Sequence, residues 1–268
     1  MAKKKSLFRK LLFVSILFLI GFVAFHFVYP DVSKLKKENP KKSAFMAYRE
    51  DEWARQGKKY RIRQNWVPYG SISPYLIKAV LIGEDDKFWQ HEGFDYEAMQ
   101  KAIEKDIKAK KFKLGGSTIS QQLAKNLFLS PSKNPIRKVR EAIITWRMER
   151  ALTKKRLLEL YLNVAEWGDA GIFGIEAASR HYYGKSASAL GPEEASRLAA
   201  VLPNPRKFNP LGSSRYVVNR AGLIYNIMVR RGIVVPELEE VELNSPAGAE
   251  EKGGLPVLPI EETKPSAQ

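Results

Sequence analysis

"GEDDKFWQHEGFD", Gly83 to Asp95, sets three carboxylates directly behind the apolar run "YLIKAVLIG". If that run is a buried helix, Glu84 stands where packing gives way to solvent, and a half-buried carboxylate there has a raised pKa suited to a general base. The competing reading is the solvated end of a helix; Asp85 and Asp86, taken singly, read as surface groups or caps. A second stretch, "KLGGSTISQQLAKNLF" (Lys113 to Phe128), follows a Gly-Gly turn with Ser117 or Thr118 as a helix cap. Thr118 and Gln121 have capping-box spacing. The N–H groups of such a helix start can receive an anion. Thr118, Gln122 and Lys125 share one face with Asn126 beside it, while Ile119, Leu123 and Leu127 share another. The turn lacks the Gly-Lys-Ser/Thr order of a P-loop, and a capped amphipathic helix explains it equally.

The third stretch is "KNPIRKVREAIITWRMER", Lys133 to Arg150. Arg137 and Glu141 are four apart and meet on one helix face. That face lies opposite the apolar positions Val139, Ile143 and Trp146. One such pair is usually a surface feature. From Lys133 to Arg156, however, there are nine basic residues against two acidic ones. That excess suits a diphosphate or anionic headgroups. A fourth stretch, "KAIEKDIKAKKFKL", mixes lysines with Ile103, Ile107, Phe112 and Leu114, and could lie on a membrane surface or form a solvated helix.

The elements that must position these groups read as helices. "SPYLIKAVLIGEDDKF" offers Ser73 as N-cap and Pro74 at the first helical position. "PIRKVREAIITWRMERAL" has a stripe at 136, 139, 143 and 146, "KKRLLELYLNVAEWG" repeats the pattern, and two further helices follow with glycine and proline breaks. No alternating strand pattern competes, and no internal repeat is present. Residues 61–232 form the expected domain, residues 30–60 a polar tether, and residues 233–268 an acidic, proline-rich tail of disordered composition. From Pro236 the tail has eight acidic residues, two lysines and five prolines, a net −6; the formal total of +16 therefore leaves about +22 on residues 1–235.

The N-terminus points to a compartment. "MAKKKSLFRK" (1–10) carries five basic residues, and 19 nearly uninterrupted apolar residues follow, Leu11 to Tyr29. This is close to the ~20 residues a helix needs to span hydrocarbon, and the basic flank should stay cytoplasmic. A cleavable signal peptide is the rival reading, but such segments are shorter and end in small residues, whereas this run ends "FHFVYPD". With the domain outside the cytoplasm, nucleic acid is excluded as a partner despite the charge. The absence of cysteine excludes disulfides, thiol catalysis and cysteine-held metal. Three scattered histidines do not make a zinc site.

In this order the motifs "EDDKFWQHEGFD", "GGSTISQQLAKNLF", "RKVREAIITWRME", "KRLLELYLNVAEWGDAGIFGIEAASRHYYGK" and "EEASRLAAVLPNPRKFNP" resemble those of the peptidoglycan glycosyltransferases, the polymerase family of bifunctional penicillin-binding proteins, from about Arg61 to Arg231. Too few residues follow for a transpeptidase domain, so the match is to the monofunctional, biosynthetic branch. The resemblance implies a mainly α, lysozyme-like glycosyltransferase domain with a small membrane-associated jaw around residues 96–114, behind one transmembrane helix. It implies a bacterial inner-membrane protein with a cytoplasmic N-terminus and a periplasmic catalytic domain, acting in cell-wall biogenesis and cell shape. The implied reaction polymerises lipid II into β-1,4 glycan strands with inversion and releases undecaprenyl diphosphate. The implied partners are lipid II, the growing glycan chain, the membrane, and other cell-wall synthesis or division proteins.

By motif position, Glu84 matches the catalytic base and Glu141 the second essential glutamate, which orients substrate or helps hold a divalent cation (Mg or Mn, weakly bound). Asp85, Phe88 and His91, with Ser117, Thr118, Gln122, Lys125 and Asn126, match substrate-binding positions, as do Arg137 and Lys138. Lys133 is added from local charge alone. Where bifunctional members often carry a lysine in the fifth motif this chain has Pro203, which leaves that donor contact unassigned. Two other readings stay open: a lysozyme-like lytic enzyme with the same fold, and an anchored, non-enzymatic scaffold.

Overall fold

The computed structural model describes residues 2–109, 116–131 and 134–235. Lys133 and residues 110–115 lie outside them, as does the tail from Pro236, so expectations for the tail and for the distal jaw segment are not addressed structurally. Ten α-helices occur among the described residues. They are α1 (Ala2–Val28), α2 (Ala44–Arg55), α3 (Pro74–Glu84), α4 (Tyr96–Ala109), α5 (Ile119–Phe128), α6 (Pro135–Ala151), α7 (Lys154–Val164), α8 (Ile175–Tyr183), α9 (Pro192–Val201) and α10 (Arg215–Arg230). A two-stranded antiparallel hairpin, β1 (Glu166–Gly168) and β2 (Ile172–Phe173), separates α7 from α8. The mainly helical expectation holds; the hairpin is too short to leave an alternating pattern.

Two helix packings place the chemistry. The first sets α3 against α9 and α10. Alanines 195, 199 and 200 of α9 are buried and let α3 approach closely. Gly83 takes part: a Cβ there would stand 3.2 Å from Ile224 Cδ1 and 3.9 Å from Ala199 Cβ. The last turn of α3, which carries Glu84, therefore rests directly on α9 and α10. The second sets α5 between α6 and α7, with Leu123, Ile144, Met148, Leu157 and Leu160 wholly buried. Fully burying each such side chain contributes on the order of 1.5–3 kcal/mol.

Pro74 occupies the start of α3 as expected, but Ser73 does not cap it. Its hydroxyl donates instead to Leu190 O at 2.7 Å and ties the helix start to the segment before α9. Residues 30–60, expected as a tether, are folded onto the domain. Val32 and Leu35 of a 3-10 turn join the main core, while Met46 and Trp53 of α2 pack with Phe173. The four apolar anchors are spaced too widely to show a period among polar neighbours.

The apolar stripe of α6 faces the other way from the usual amphipathic arrangement. Ile136, Val139 and Trp146 are 53%, 50% and 39% exposed, while Glu141, Ile144, Thr145 and Met148 are buried. The buried face is mixed: Ile144 and Met148 join the core, and Glu141 goes in beside them paired with Arg137 and Lys138 of the same helix. The stripe meets α1 in part: Trp146 packs edge-on against Phe27 at 5.5 Å, and Arg147 donates to Val28 O. Counting only residues whose side chains are described, no helix is long and apolar enough to cross a membrane.

Gly174 opens α8 at φ 77° and ψ 149°, a region open essentially to glycine alone. A Cβ there would lie 2.7 Å from Asn163 O. Gly184 closes the same helix in the left-handed region with open space around it. Gly174→Ala is expected to lower unfolding free energy by roughly 3 kcal/mol and Gly184→Ala by roughly 1 kcal/mol, as read from urea denaturation.

Candidate active site

Glu84 ends α3 with its side chain 9% exposed. One carboxylate oxygen accepts from Gln122 Nε2 of α5 at 2.9 Å, and the other faces Arg220 Nη2 of α10 at 3.3 Å. Gln122 is itself fixed, since its Oε1 accepts from the buried Tyr161 hydroxyl at 3.1 Å. Burial pushes the Glu84 pKa up, and Gln122, Arg220 and Lys125 only partly offset it. This is the balance that a general base requires. Arg220 also donates to Gly83 O at 2.7 Å, so α10 grips both backbone and side chain of the turn that carries Glu84. Sequence alone does not single out Arg220, because it is one of several arginines in α10 and nothing in the spacing links it to residue 84.

Asp85 and His91 serve as struts. Asp85 is 8% exposed; it accepts from His91 Nε2 (2.9 and 3.1 Å) and from the Ile119 backbone N–H (2.9 Å). His91 Nδ1 accepts from Gly93 N at 3.1 Å, which places the neutral ring's proton on Nε2. Phe88 is fully buried against Trp89 and His91, with Lys154 Nζ 4.5 Å from its ring centroid. These contacts make Phe88 and His91 supports of the wall, while Asp85 both braces that wall and lines the cleft beside Glu84. Asp86, expected on the surface, forms a bidentate pair with Arg231 at 2.6 and 2.8 Å.

Thr118 caps α5 in a full capping box with Gln121 and also donates to Gly93 O at 2.7 Å. The N–H groups of Thr118, Ile119 and Gln121 accordingly meet Gln121 Oε1, Asp85 Oδ2 and Thr118 Oγ1. The helix start is thus largely filled by the protein's own acceptors, which leaves charge neutralisation to side-chain cations. Ser117 remains half-buried beside them, its hydroxyl accepting from Lys138 at 3.4 Å.

Those cations gather around Glu141, which is 2% exposed. One of its oxygens accepts from Arg137 at 2.8 Å and the other from Lys138. Lys125 lies within electrostatic reach of Glu141, Glu84, Arg137 and Lys138; burial holds its pKa down, and the two neighbouring cations add to that effect. Both Glu141 oxygens are committed to cations, and among the described residues no group of three His, Cys, Asp or Glu could hold a metal. The expected metal role of Glu141 does not fit this donor set; its geometry suits orienting Arg137 and Lys138.

Two clefts flank the Glu84–Gln122 pair, one lined by each residue. One, of about 210 Å³, is lined by Glu84, Asp85, Asp86, Asp95, Ser117 and Thr118. The other, of about 200 Å³, is lined by Gln122, Lys125, Asn126 and Tyr161 and runs on to residues 202–206. The Glu84–Gln122 hydrogen bond is the seam between them. Asn126 is thereby placed in the second cleft, and Pro203 stands in its far wall.

Because the folded-state pKa of Glu84 is raised from its ordinary 4.5, the folded protein binds more protons between the two values, and stability falls as pH rises through that window. Glu84→Gln is therefore expected to unfold at higher urea than the wild type at neutral pH. Its advantage should vanish below about pH 4. Asp85→Asn, by contrast, is expected to lower stability by roughly 1–3 kcal/mol in the same assay.

The transglycosylase family model matches residues 51–229. A protein of Nitrosospira multiformis named biosynthetic peptidoglycan transglycosylase is 44% identical over 223 residues, covering 83% of this chain and 95% of its own length. Proteins of the same name from Dechloromonas aromatica (52% over 186 residues, 69% of this chain and 80% of theirs) and Aromatoleum aromaticum (54% over 170 residues, 63% and 74%) are similar in turn. With motifs, helical fold and site geometry in agreement, this chain belongs to the transglycosylase family.

Proposed function

We propose that the protein is a peptidoglycan glycosyltransferase that polymerises lipid II into β-1,4-linked strands. The observation that carries this reading is the buried Glu84 at the seam of two clefts, one of them edged by Lys125 with Arg137 and Lys138 close by. Two substrates must meet at one base; each brings a diphosphate, and one of them gives its diphosphate up as the leaving group. The names of the relatives agree with this activity.

In this reading the acceptor's 4-hydroxyl lies against Glu84. Glu84 takes its proton as the oxygen attacks the anomeric carbon from the face opposite the leaving group. The new C–O bond forms with inversion while the bond to the diphosphate breaks, and the electron pair leaves on the diphosphate oxygen. Lys125, Arg137 and Lys138 balance that charge in a site partly shielded from water, where such interactions are strongest. Glu141 keeps the two α6 cations aimed, and Arg220 keeps Glu84 in place. Hydrolysis of an existing strand would release no diphosphate and would leave this cationic cluster without a task. The magnesium or manganese expected from the resemblance is assigned, in this reading, to the substrate's diphosphate and to no protein carboxylate.

The same reading places the protein in the bacterial inner membrane, anchored by residues 11–29 with the catalytic domain outside the cytoplasm. Support comes from the apolar composition of that run, the 27-residue length of α1 and the exposed apolar faces beside the site. These faces are the α6 stripe and the α4 residues Tyr96, Ile103 and Ile107, at 75%, 53% and 63% exposure; α4 is the described part of the membrane-associated jaw.

Glu84→Gln is expected to cut polymer formation from lipid II by about 10²–10⁴-fold while retaining binding of a non-reacting lipid II analogue; wild-type turnover by this variant would refute the base. Full-length protein is expected to resist carbonate extraction from membranes, and a chain lacking residues 1–29 to be released by it.

A further inference from the structure

Residues 55–65 read "RQGKKYRIRQN", five cations and no acidic residue. None of them belongs to the Glu84–Glu141 cluster. Arg61, Arg63 and Asn65 are exposed while Ile62 and Gln64 are half-buried, the period-two alternation of an extended strand. The stretch makes one parallel bridge to β2, at Ile172. Arg63 N donates to Gly171 O at 2.7 Å, and Arg63 O accepts from Phe173 N at 3.0 Å. In such a ladder the residues on either side turn their backbone groups to the opposite edge. The N–H and C=O groups of Ile62 and Gln64 have no hydrogen-bond partner among the described residues.

A cavity of about 280 Å³ opens where this strand meets α8, lined by Arg63, Gln64, Asn65, Ala177, Arg180 and His181. It shares no lining residue with either cleft beside the Glu84–Gln122 pair. Arg180 donates from Nε to the buried Glu176 at 2.7 Å, and the other Glu176 oxygen accepts from Ala187 N at 2.8 Å. Both Glu176 oxygens are thus engaged. The Nη groups of Arg180 and the guanidinium of Arg63 have no carboxylate partner among the described residues. Two guanidinium forks and an imidazole on one cavity suit a carboxylate, which such a fork can hold bidentately.

The charge alone would suit several anions, and the free edge selects among them. An extended peptide can pair with both N–H and C=O groups of a strand; a phosphate can meet only the N–H groups. Lipid surfaces are met by faces that bring apolar side chains beside their cations. Here Tyr60 is the one large hydrophobic residue exposed among residues 55–65 and α8. Cations on an edge also discourage self-pairing, which leaves this edge to a partner of opposite charge. We propose that the strand at residues 61–65 and the adjoining cavity bind an extended acidic segment of another protein. The segment adds as a strand to the free edge and seats a carboxylate against Arg63 and Arg180. The site is separate from the polymerase reaction and does not depend on it.

The probe is a fluorescein-labelled octapeptide alternating glutamate and threonine, with an amidated C-terminus, followed by fluorescence anisotropy with the full-length protein in detergent. The double variant Arg63→Gln/Arg180→Gln is expected to bind it about tenfold more weakly. The charge-matched control Arg215→Gln/Arg230→Gln, at exposed positions of α10, is expected to lose much less. A peptide N-methylated at alternate residues keeps the charge but loses the edge-pairing N–H groups, and is expected to bind several-fold more weakly than its parent. Both double variants are expected to unfold thermally close to wild type. No binding by the wild type, or an equal loss in the two double variants, overturns the site. Undiminished binding of the N-methylated peptide overturns strand addition and the proposal with it. If glycerophosphoglycerol, a lipid headgroup without its chains, displaces the probe as well as unlabelled peptide does, the patch takes headgroups and the peptide assignment is wrong.

Discussion

An ionised carboxylate is costly to remove from water unless it is hydrogen-bonded and paired, and Glu84 is held with its side chain 9% exposed. Its two partners are few and distant in sequence: Gln122 from α5 and Arg220 from α10. Two partners leave the pKa raised, and a better-paired glutamate would be more stable but a poorer base. Much of the architecture follows from supplying no more than these. The alanine face of α9 brings α3 close, Gly83 removes the side chain that would hold the turn away, and Tyr161 fixes the amide of Gln122.

The neighbouring residue performs a complementary task. Asp85 ties its own turn to His91 and to the first N–H of α5, so the helix bearing Gln122 and Lys125 is registered against the helix bearing Glu84. Thr118 repeats the connection through Gly93 O. Polar contacts at both ends of the 85–93 loop lock the two halves of the site, and the fully buried Phe88 fills the space between them. Charge that a helix start could have lent to an anion is spent on this registration, and the cations of α5 and α6 take over the electrostatic work.

The sequence discloses those parts whose signals are local. The capping box at Thr118, Pro74 at the start of α3 and the i,i+4 pair of Arg137 and Glu141 all lie within one helical turn, and each occurs as expected. The wrong-way stripe of α6 shows the limit of periodicity. Amphipathicity identifies two faces but does not say which one the protein buries, and here the buried face carries Glu141 paired with Arg137 and Lys138 of the same helix. Arg220, Arg231 and the Arg49–Glu166 pair were not legible, because each acts across more than a hundred residues and no spacing rule connects them. The folded state of residues 30–60 was hidden for a related reason: isolated anchors such as Leu35 and Trp53 have meaning only against the core that receives them.

The grip of Arg220 on Gly83 and Glu84 spans 137 and 136 residues, nearly the whole catalytic domain. Chains are made from the N-terminus, so the base and both clefts can be in place before their last support exists. A chain without α10 lacks the arginine that holds the Glu84 turn. The full setting of Glu84 therefore waits on α10, the last of the described helices.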